Sequence, residues 1–434
     1  MHDPITELDK KQGNYLNVLE RTELSLFPGL NVKRILFNET AYCLKKSKTD
    51  FFKGLIKCLL FKDYFLDSRI NGQEILLLYS KNYRSDHDGY WEQIKKDVKN
   101  YDSITILTQG QRKLELKNLA RKIKYLRICY RELNVINNKN DRLYLALWLV
   151  DRKIVMDEIN QLYLTPKIVM CFSDNSVDEN VLMQYFKTRG ITTVTNQHGL
   201  CVFQSYDYDR LNQSQILNFK CDYFFARGVK QKEQFVLAGF DGGNIKVVGY
   251  IEKNNKDIQI KDNNTIGIYL DCPTVPLSDK NNKRMIEYGK LIAKALGWKY
   301  LVKCHPQDLI DKYKNEVDDD CLDIFGKGTT LEETLKKVSI CIIHASATYV
   351  DVYTYGLRCL KMNSEIKYPI AVKEDEFDTS EQAIDKITVW NRKSKEEKKS
   401  YIRSVLEQYA SPWEKGNIDR ELQKIKNEIK GDQQ

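Results

Sequence analysis

The sequence predicts an α/β protein with two parallel-sheet domains. The chain of 434 residues is long for a single hydrophobic core. Short apolar, β-branched runs alternate with helical stretches in both halves, as in parallel sheets covered by helices. Three of the five histidines, His198, His305 and His344, directly follow such runs. Ligands bind beyond the carboxyl ends of parallel strands, so these histidines predict one ligand cleft; alternatively, each is a hydrogen-bonded strand-end residue.

The first half predicts an N-terminal domain over residues 1–250. Its first 30 residues are polar with scattered leucines, which indicates an extension or a short helix. Apolar runs then predict strands at 34–37, 74–79, 103–107, 167–172 and 190–198, with helices at 141–164 and 181–187.

The second half repeats this alternation. Residues 251–264 are polar and predict a linker. A C-terminal domain over 265–392 follows, with strands at 265–270, 299–304 and 340–343 and helices at 284–296, 331–337 and from 347. Residues 393–434 predict a charged helical tail that is interrupted at Pro412.

Composition narrows the class of protein. The 11 cysteines are odd in number, scattered and without a CxxC pair, which favours a reducing compartment over a disulfide framework or a zinc site. We find no apolar N-terminal signal and no uninterrupted apolar run of about 18 residues, so we expect a cytoplasmic protein without a membrane span.

The net charge of +9 suits anionic ligands or a negatively charged membrane face; a solvated lysine-rich surface explains it equally well. No nucleic-acid-binding motif is present.

The segment after residues 340–343 predicts an anion site. Ser346 and Thr348 stand between a strand end and the start of a helix, where backbone N–H groups and hydroxyls can bind phosphate. Asp351 follows one turn later and could accept hydrogen bonds from ribose hydroxyls. The alternative is that Ser346 or Thr348 only caps the helix.

Two further strand ends carry candidate acid–base groups. His305 is fixed by Pro306 at the end of its strand and could bind a phosphate or protonate a leaving oxygen. In the first half, Gln197, His198 and Gly199 form one turn, in which glycine allows close approach of a ligand and His198 could act as a base.

Asp174 competes with His198 for the role of base. It follows the strand at 167–172, and a carboxylate at such a place equally often caps the next helix.

Several enzyme classes lose support because their motifs are missing. The sequence has no GxGxxG, GxxxxGK[ST], HExxH or GxSxG, which argues against a Rossmann dehydrogenase, a P-loop NTPase, a zincin and an α/β-hydrolase. No DxD pair stands at a convincing strand end, so we expect no metal site and no cofactor beyond a substrate nucleotide.

The motifs resemble those of bacterial GT-B-fold transferases of capsule, exopolysaccharide and teichoic-acid synthesis. The matching segments are QHG at 197–199, DYFFARG at 222–228, GF at 239–240, KVVG at 246–249, KCHPQD at 303–308, SATYVD at 346–351 and GLRCL at 356–360. The HP and Ser/Thr motifs are also similar to those of bacterial GT-B sialyltransferases. Two positions depart from the family pattern: Ala347 separates the two hydroxyl residues, and Arg358 replaces a proline.

The resemblance implies two Rossmann-like domains that face a central cleft and transfer of a sugar from a nucleotide-activated donor. Donor-binding residues would be His305, Pro306, His344, Ser346, Thr348 and Asp351; catalytic residues would be His198, His305 and Asp174; Gln197 and Gly199 would lie on the acceptor side. The acceptor would be a glycan or a lipid-linked glycan of a growing cell-surface polysaccharide, with peripheral contact at the inner membrane face. The basic residues near Lys395 would serve that contact.

Three alternatives remain open at this stage. The same motifs fit transfer of a polyol phosphate from a CDP-activated donor, or of sialic acid from a CMP-activated donor. The altered turn at Ala347 also fits a catalytically silent partner of an active transferase. Neither the donor and the linkage nor the oligomeric state follows from these residue types.

Overall fold

The computed structural model contains two compact units, each built on its own sheet. Unit 1 comprises Met1–Ala226, Lys232–Glu252 and Trp413–Gln434, and unit 2 comprises Arg227–Gln231 and Lys253–Pro412. The structure describes residues 7–44, 48–81, 85–175, 177–197, 199–201, 214–250, 260, 263–273, 275, 277–411 and 414–431. Most of the predicted linker and His198 therefore lie outside the described residues.

Unit 1 holds a seven-stranded sheet in the order β1-β3-β2-β4-β5-β6-β7. Every pair is parallel except β1 with β3. The strands are β1 (Phe61–Arg69), β2 (Ile75–Lys81), β3 (Tyr101–Leu114), β4 (Ile168–Cys171), β5 (Thr192–Asn196), β6 (Tyr223–Ala226) and β7 (Ile245–Val247). The chain moves from β2 to β3 on one side and then to β4 on the other, so the order reverses between β2 and β4.

Helices cover this sheet. They are α1 (Glu7–Leu19), α2 (Val32–Ile35), α3 (Phe37–Cys43), α4 (Lys48–Leu60), α5 (Ser85–Asp97), α6 (Leu119–Glu132), α7 (Lys139–Asn160), α8 (Val177–Thr188), α9 (Ser214–Leu217) and α10 (Val229–Leu237). Helix α10 crosses the boundary between the residue ranges of the two units.

The segment with the DYFFARG and GF motifs contributes to the core of unit 1. Phe224 on β6 packs against Phe235 of α10 with ring centroids 4.1 Å apart, and Phe240 packs against Phe235 at 5.6 Å. Asp222 accepts hydrogen bonds from Thr193 N (2.9 Å) and Thr193 Oγ1 (2.8 Å), which ties the start of β6 to β5. The aromatic and acidic residues of these motifs are therefore structural.

One predicted strand is wrong. Residues 34–37 comprise the end of α2, the cap residue Leu36 and the first residue of α3. The side chain of Asn31 accepts a hydrogen bond from Arg34 N and caps α2, while Ile35 and Leu36 are buried in the core of unit 1. A short apolar run is compatible with either a strand or a buried helix, and the cap decides in favour of the helix.

Unit 2 holds a six-stranded, fully parallel sheet in the order β10-β9-β8-β11-β12-β13. The strands are β8 (Thr265–Tyr269), β9 (Lys299–Lys303), β10 (Cys321–Phe325), β11 (Ile340–Ile343), β12 (Arg358–Met362) and β13 (Glu376–Phe377). From β8 the chain adds β9 and β10 on one side and then β11 on the other, so the order reverses between β8 and β11. With the sheet of unit 1, this confirms the predicted pair of parallel-sheet domains.

The remaining helices include both helices of the predicted tail. They are α11 (Ser278–Leu296), α12 (Leu331–Leu335), α13 (Thr348–Thr354), α14 (Ser380–Arg392), α15 (Lys395–Tyr409) and α16 (Asn417–Gly431). Helix α15 belongs to unit 2 and α16 to unit 1. Lys398 is buried and lies 5.8 Å from the centroid of the Trp390 ring, so this lysine of the predicted basic tail is part of the packing of unit 2.

Within the described ranges, we find no helix that is both long and apolar enough to cross a bilayer.

Candidate functional site

Polar residues collect at the carboxyl edge of the sheet of unit 2. Because all six strands are parallel, their carboxyl ends lie along one edge. Asp271 comes shortly after β8, His305 after β9, His344 after β11 and Ser364 after β12. In open α/β sheets, ligands bind beyond this edge where the strand order reverses, which here is between β8 and β11.

At this reversal point Asp271 joins the ends of β8 and β11. Its Oδ2 lies 2.5 Å from His344 Nδ1, and its Oδ1 accepts a hydrogen bond from Ala345 N at 2.9 Å. Both side chains are fully buried. Asp271 was not predicted as a site residue, although its position just beyond an apolar strand was a usable signal.

His344 has a positioning role in this arrangement. Its Nε2 lies 2.7 Å from Ser364 Oγ, so both ring nitrogens have partners and the side chain has no exposed surface. The predicted contact between His344 and the donor stays a prediction, and the contacts of the ring in this structure are with protein groups. The ring fixes the turn that carries Ser346.

Ser346 and Thr348 form one hydroxyl pair at the end of β11. Ser346 Oγ donates to Thr348 Oγ1 (2.9 Å) and accepts from Thr348 N (3.2 Å). Both side chains are partly exposed, and Ala347 between them is exposed. The N-cap position of α13 is Ala347, without a side-chain cap; the Ser346 oxygen binds the N–H of Thr348 instead. Asp351 is partly exposed in the first turn of α13.

His305 lies at the same edge and is partly exposed, while Pro306 is exposed. The Nδ1 atom of His305 accepts a hydrogen bond from Gln307 N at 3.2 Å, which in the neutral ring leaves the proton on Nε2. Asp308 stabilises the following turn by accepting from Tyr313 Oη (2.7 Å) and Leu309 N (2.9 Å). Burial raises the pKa of Asp308, but these hydrogen bonds and Lys312 outweigh burial and lower it overall.

Arg358, where the resembled family has proline, belongs to a buried network. It donates to Asp375 Oδ1 (3.1 Å), Lys386 O (3.0 Å) and Glu374 O (3.2 Å). Asp375 also accepts from the hydroxyls of three tyrosines, Tyr349, Tyr353 and Tyr401. Arg358 therefore stabilises unit 2 around a buried carboxylate.

At the corresponding edge of unit 1, Glu179 joins β2 to β4. Its carboxylate accepts from Ser80 N (2.7 Å) and Ser173 N (2.6 Å), and the side chain is buried. Burial raises its pKa well above the ordinary value despite these two hydrogen bonds. Glu179 was not predicted from the sequence, since a carboxylate in a first helical turn is common on helix surfaces.

Asp174 follows β4 and is fully buried. Its Oδ2 accepts from Lys220 N (2.7 Å) and Cys221 N (3.0 Å), and its Oδ1 has no hydrogen-bond partner among the described residues. Burial raises the pKa of Asp174, against the effect of the two backbone hydrogen bonds. Its carboxylate holds the chain before β6, and its role as a base stays a prediction.

The turn after β5 contains Gln197 and Gly199. The buried Gln197 donates through Nε2 to Gly199 O (2.8 Å), which closes the turn. A Cβ at Gly199 would meet no described atom within 4 Å. His198 lies outside the described residues, so its predicted role as a base is untested. In the described part of the chain, no three His, Cys, Asp or Glu side chains are grouped closely enough to hold a metal ion.

Comparison with known proteins supports the fold. Neither a protein-family model nor a curated protein matches the sequence. Among solved structures, Staphylococcus aureus MnaA in complex with UDP matches with a TM-score of 0.51 at 10% identity, over 82% of this chain and 97% of that one. A UDP-GlcNAc 2-epimerase from Methanocaldococcus jannaschii matches with a TM-score of 0.50 at 12% identity, over 81% and 99%.

The fold is GT-B. These identities are too low to transfer an activity, but the matches extend over nearly the whole of both solved chains. The GT-B fold predicted from the motifs is confirmed at the level of two Rossmann-like, parallel-sheet units.

Proposed function

We propose that this protein is a glycosyltransferase that binds a nucleotide-activated sugar at the carboxyl edge of the sheet of unit 2 and transfers the sugar to a growing cell-surface polysaccharide. The reversal of strand order between β8 and β11 is the observation that carries the proposal. There a buried Asp271–His344 pair fixes the turn that presents the Ser346 and Thr348 hydroxyls. The motif resemblance supports transfer, and the solved structure with UDP supports a nucleotide ligand for the fold.

Each proposed donor contact follows from position and chemistry. Ser346 and Thr348 would donate to the phosphates, and Asp351 would accept hydrogen bonds from the ribose. His305, held by Gln307 N and followed by Pro306, would donate from Nε2 to the phosphate that leaves. These donors would stabilise the negative charge of the leaving nucleotide without a metal ion or a further cofactor.

In the transfer step, an acceptor hydroxyl oxygen forms a bond to the anomeric carbon. The bond from that carbon to the phosphate oxygen breaks, and the nucleotide leaves with the electron pair. The acceptor proton goes to a base, for which His198 is the first candidate and Asp174 the second. Gln197 and Gly199 would shape the acceptor side, and a lipid-linked acceptor would bring the protein to the inner membrane face.

A thermal-shift screen tests the nucleotide site. UDP-, GDP-, dTDP-, CDP- and CMP-linked donors are added to the purified protein, and a ligand at 100 times its dissociation constant should stabilise the fold by about 2.7 kcal/mol. We expect one nucleotide family to give a shift that His305→Ala or Ser346→Ala reduces. Thr354→Val, at the other end of α13, is the matched control and should keep it. No shift with any donor would contradict the proposal and favour a silent partner.

The same screen separates the related donor classes. A response limited to CDP-linked compounds would indicate transfer of a polyol phosphate, and a response limited to CMP-linked compounds would indicate a sialyltransferase. Product analysis by mass spectrometry then identifies the transferred group.

A second candidate function is epimerisation of a UDP-linked sugar. It is favoured by the likeness to the M. jannaschii UDP-GlcNAc 2-epimerase. Incubation with UDP-GlcNAc in the absence of any acceptor distinguishes the two functions: an epimerase converts the sugar nucleotide to its 2-epimer, and a transferase does not. NMR of the anomeric protons provides the readout.

A further inference from the structure

A cavity of about 580 Å³ lies inside unit 1 between the helices α4 and α7. The strands β1 and β3 contribute to its wall. Its apolar lining includes Ile56, Phe61, Ile106, Leu147 and Trp148. The volume falls in the range of small-molecule sites, which are mostly apolar with a few polar groups. Nothing in the proposed donor chemistry uses this cavity.

The charged groups on the α7 side of the wall, Asp151 and Arg152, already have partners. The guanidinium of Arg152 lies over the Trp148 ring at 4.1 Å, and its Nε lies 2.7 Å from Asp178 Oδ1. Asp151 Oδ1 accepts a hydrogen bond from the thiol of Cys58 at 3.5 Å. A sugar enclosed here would compete for these groups or leave hydroxyls unpaired, which is unfavourable. A hydrocarbon needs no such partners, so the wall favours a hydrocarbon ligand.

Helix α4 forms one rim of the cavity and carries both apolar and basic residues at its surface. Phe52 is 64% exposed and Ile56 is 40% exposed. Lys53, which is exposed, and Lys57, which is partly exposed, both line the cavity, and so does the exposed carboxylate of Asp50, which leaves an excess of one positive charge on this rim. Lysines beside an apolar opening attract an anionic head group while its chain enters the apolar space.

Gly54 keeps space open on the inner side of α4. It occupies the middle of the helix and lines the cavity, although glycine there weakens a helix relative to alanine. A Cβ at this position would meet Leu147 Cδ1 at 3.8 Å, an ordinary van der Waals contact. Packing of the protein alone therefore does not require glycine, whereas a larger side chain would extend into the cavity.

From these observations we infer that the cavity binds the hydrocarbon chain of an anionic amphiphile, with the head group beside Lys53 and Lys57. This site lies wholly within unit 1 and does not depend on whether unit 2 binds a nucleotide. Lys53 and Lys57 favour a negatively charged head group, and the apolar part of the wall favours a hydrocarbon chain without hydroxyls.

Calorimetric titration with alkyl phosphates below their micelle concentrations tests the site. Octyl, decyl and dodecyl phosphate should bind with increasing affinity, by up to about fourfold for each buried methylene, and butyl phosphate should not bind measurably. Dodecanol should bind more weakly than dodecyl phosphate because it lacks the charge. Equal affinities for octyl, decyl and dodecyl phosphate would overturn the inference, because binding at a surface ion site does not depend on the length of the alkyl chain.

Variants on α4 locate the site. Gly54→Leu should reduce the affinity for dodecyl phosphate at least tenfold, whereas the matched control Gly54→Ala should change it less than about threefold. The double variant Lys53→Gln, Lys57→Gln should weaken binding of dodecyl phosphate but not of dodecanol. Circular dichroism checks folding; should Gly54→Leu not fold, the chain-length series on the unaltered protein decides alone. Binding that occurs only to anionic vesicles, and never to monomeric amphiphile, would overturn the cavity site.

Discussion

The two strand-end histidines of unit 2 differ in how far their side chains are buried. His344 is fully buried between Asp271 and Ser364, while His305 is partly exposed and accepts a backbone hydrogen bond from Gln307 N. The two imidazoles therefore differ in what they can contact. His344 contacts protein groups on both ring nitrogens, whereas His305 has exposed surface.

Substitution should separate these roles. His344→Phe should lower the free energy of unfolding by about 3–5 kcal/mol, because it leaves Asp271 Oδ2 buried without its partner. His305→Ala should lower it by less than about 1 kcal/mol and should instead reduce nucleotide binding. Urea denaturation and the thermal-shift screen measure the two effects. Similar stability losses in both variants would show that His305 is also structural.

The buried carboxyl of Asp174 predicts a pH dependence. Because burial raises its pKa in the folded state, the folded protein holds this proton more tightly than the unfolded chain does. The stability contribution is then full below the unfolded pKa of about 3.9 and is lost as pH rises through the raised folded pKa. Asp174→Asn keeps an oxygen for Lys220 N and Cys221 N and removes the titrating group.

Stability of this variant should therefore fall less with rising pH than that of the unaltered protein. Denaturation curves from pH 4 upward measure the difference. Parallel curves would mean that Asp174 titrates normally. Retained transfer activity in Asp174→Asn would leave His198 as the base.

At the residue level, sequence reasoning located the polar strand ends but not their burial. The position of His344 was predictable because it follows an apolar run. Its burial depends on a contact with Asp271, which lies 73 positions earlier in the chain. No local sequence pattern predicts a contact between residues so far apart. Glu179 was missed for the same reason, because its partners Ser80 and Ser173 come from two different strand ends.

At the scale of elements, two glycines inside helices predict opposite effects. A Cβ at Gly54 in α4 would lie 3.8 Å from Leu147 Cδ1, whereas a Cβ at Gly289 in α11 would lie only 2.1 Å from Ile268 Cδ1. Gly54→Ala should raise the free energy of unfolding by about 0.5–1 kcal/mol, and Gly289→Ala should lower it by about 1–3 kcal/mol through overpacking. Chemical denaturation compares them; a loss in Gly54→Ala would indicate that the wall of the cavity is already filled.

The strands of the two sheets were predicted where apolar runs were continuous. Strands β2, β4 and β8 were predicted because their buried residues form continuous apolar runs in the sequence. The edge strand β10 was missed because it is partly exposed and carries Asp323. At residues 34–37 the apolar run was too short to distinguish a strand from a buried helix. The hydrogen bond by which Asn31 caps α2 forms only once the helix exists, so the sequence alone did not decide between the two.

At the scale of the whole molecule, the last helix completes the unit in which the chain begins. Ile418, Leu422 and Ile425 of α16 are fully buried. Asp97 accepts hydrogen bonds from Gly416 N and Ile418 N and so caps α16 from α5. The sequence predicted a charged tail here because lysine and glutamate dominate its composition. The three buried apolar residues are separated by charged residues, so they did not form a recognisable apolar run.

Loss of the Asp97 cap should weaken helix α16 locally. Asp97→Ala should destabilise α16 by about 1–2 kcal/mol, since two N–H groups at its start lose their acceptor. Hydrogen–deuterium exchange should then speed up over residues 417–431 and stay unchanged in α15, which serves as the internal control. Unchanged exchange in α16 would show that its apolar face alone holds it.

This return of the chain has a consequence for biosynthesis. A ribosome makes the protein from its amino end, and domains usually fold in the order in which they emerge. Here unit 1 lacks α16 until residues 417–431 have been made, although the residues of unit 2 precede them in the chain. The apolar contacts of Ile418, Leu422 and Ile425 are therefore uncovered in every nascent chain. A stop codon placed before residue 417 would therefore remove packing from unit 1 while leaving the residue range of unit 2 complete.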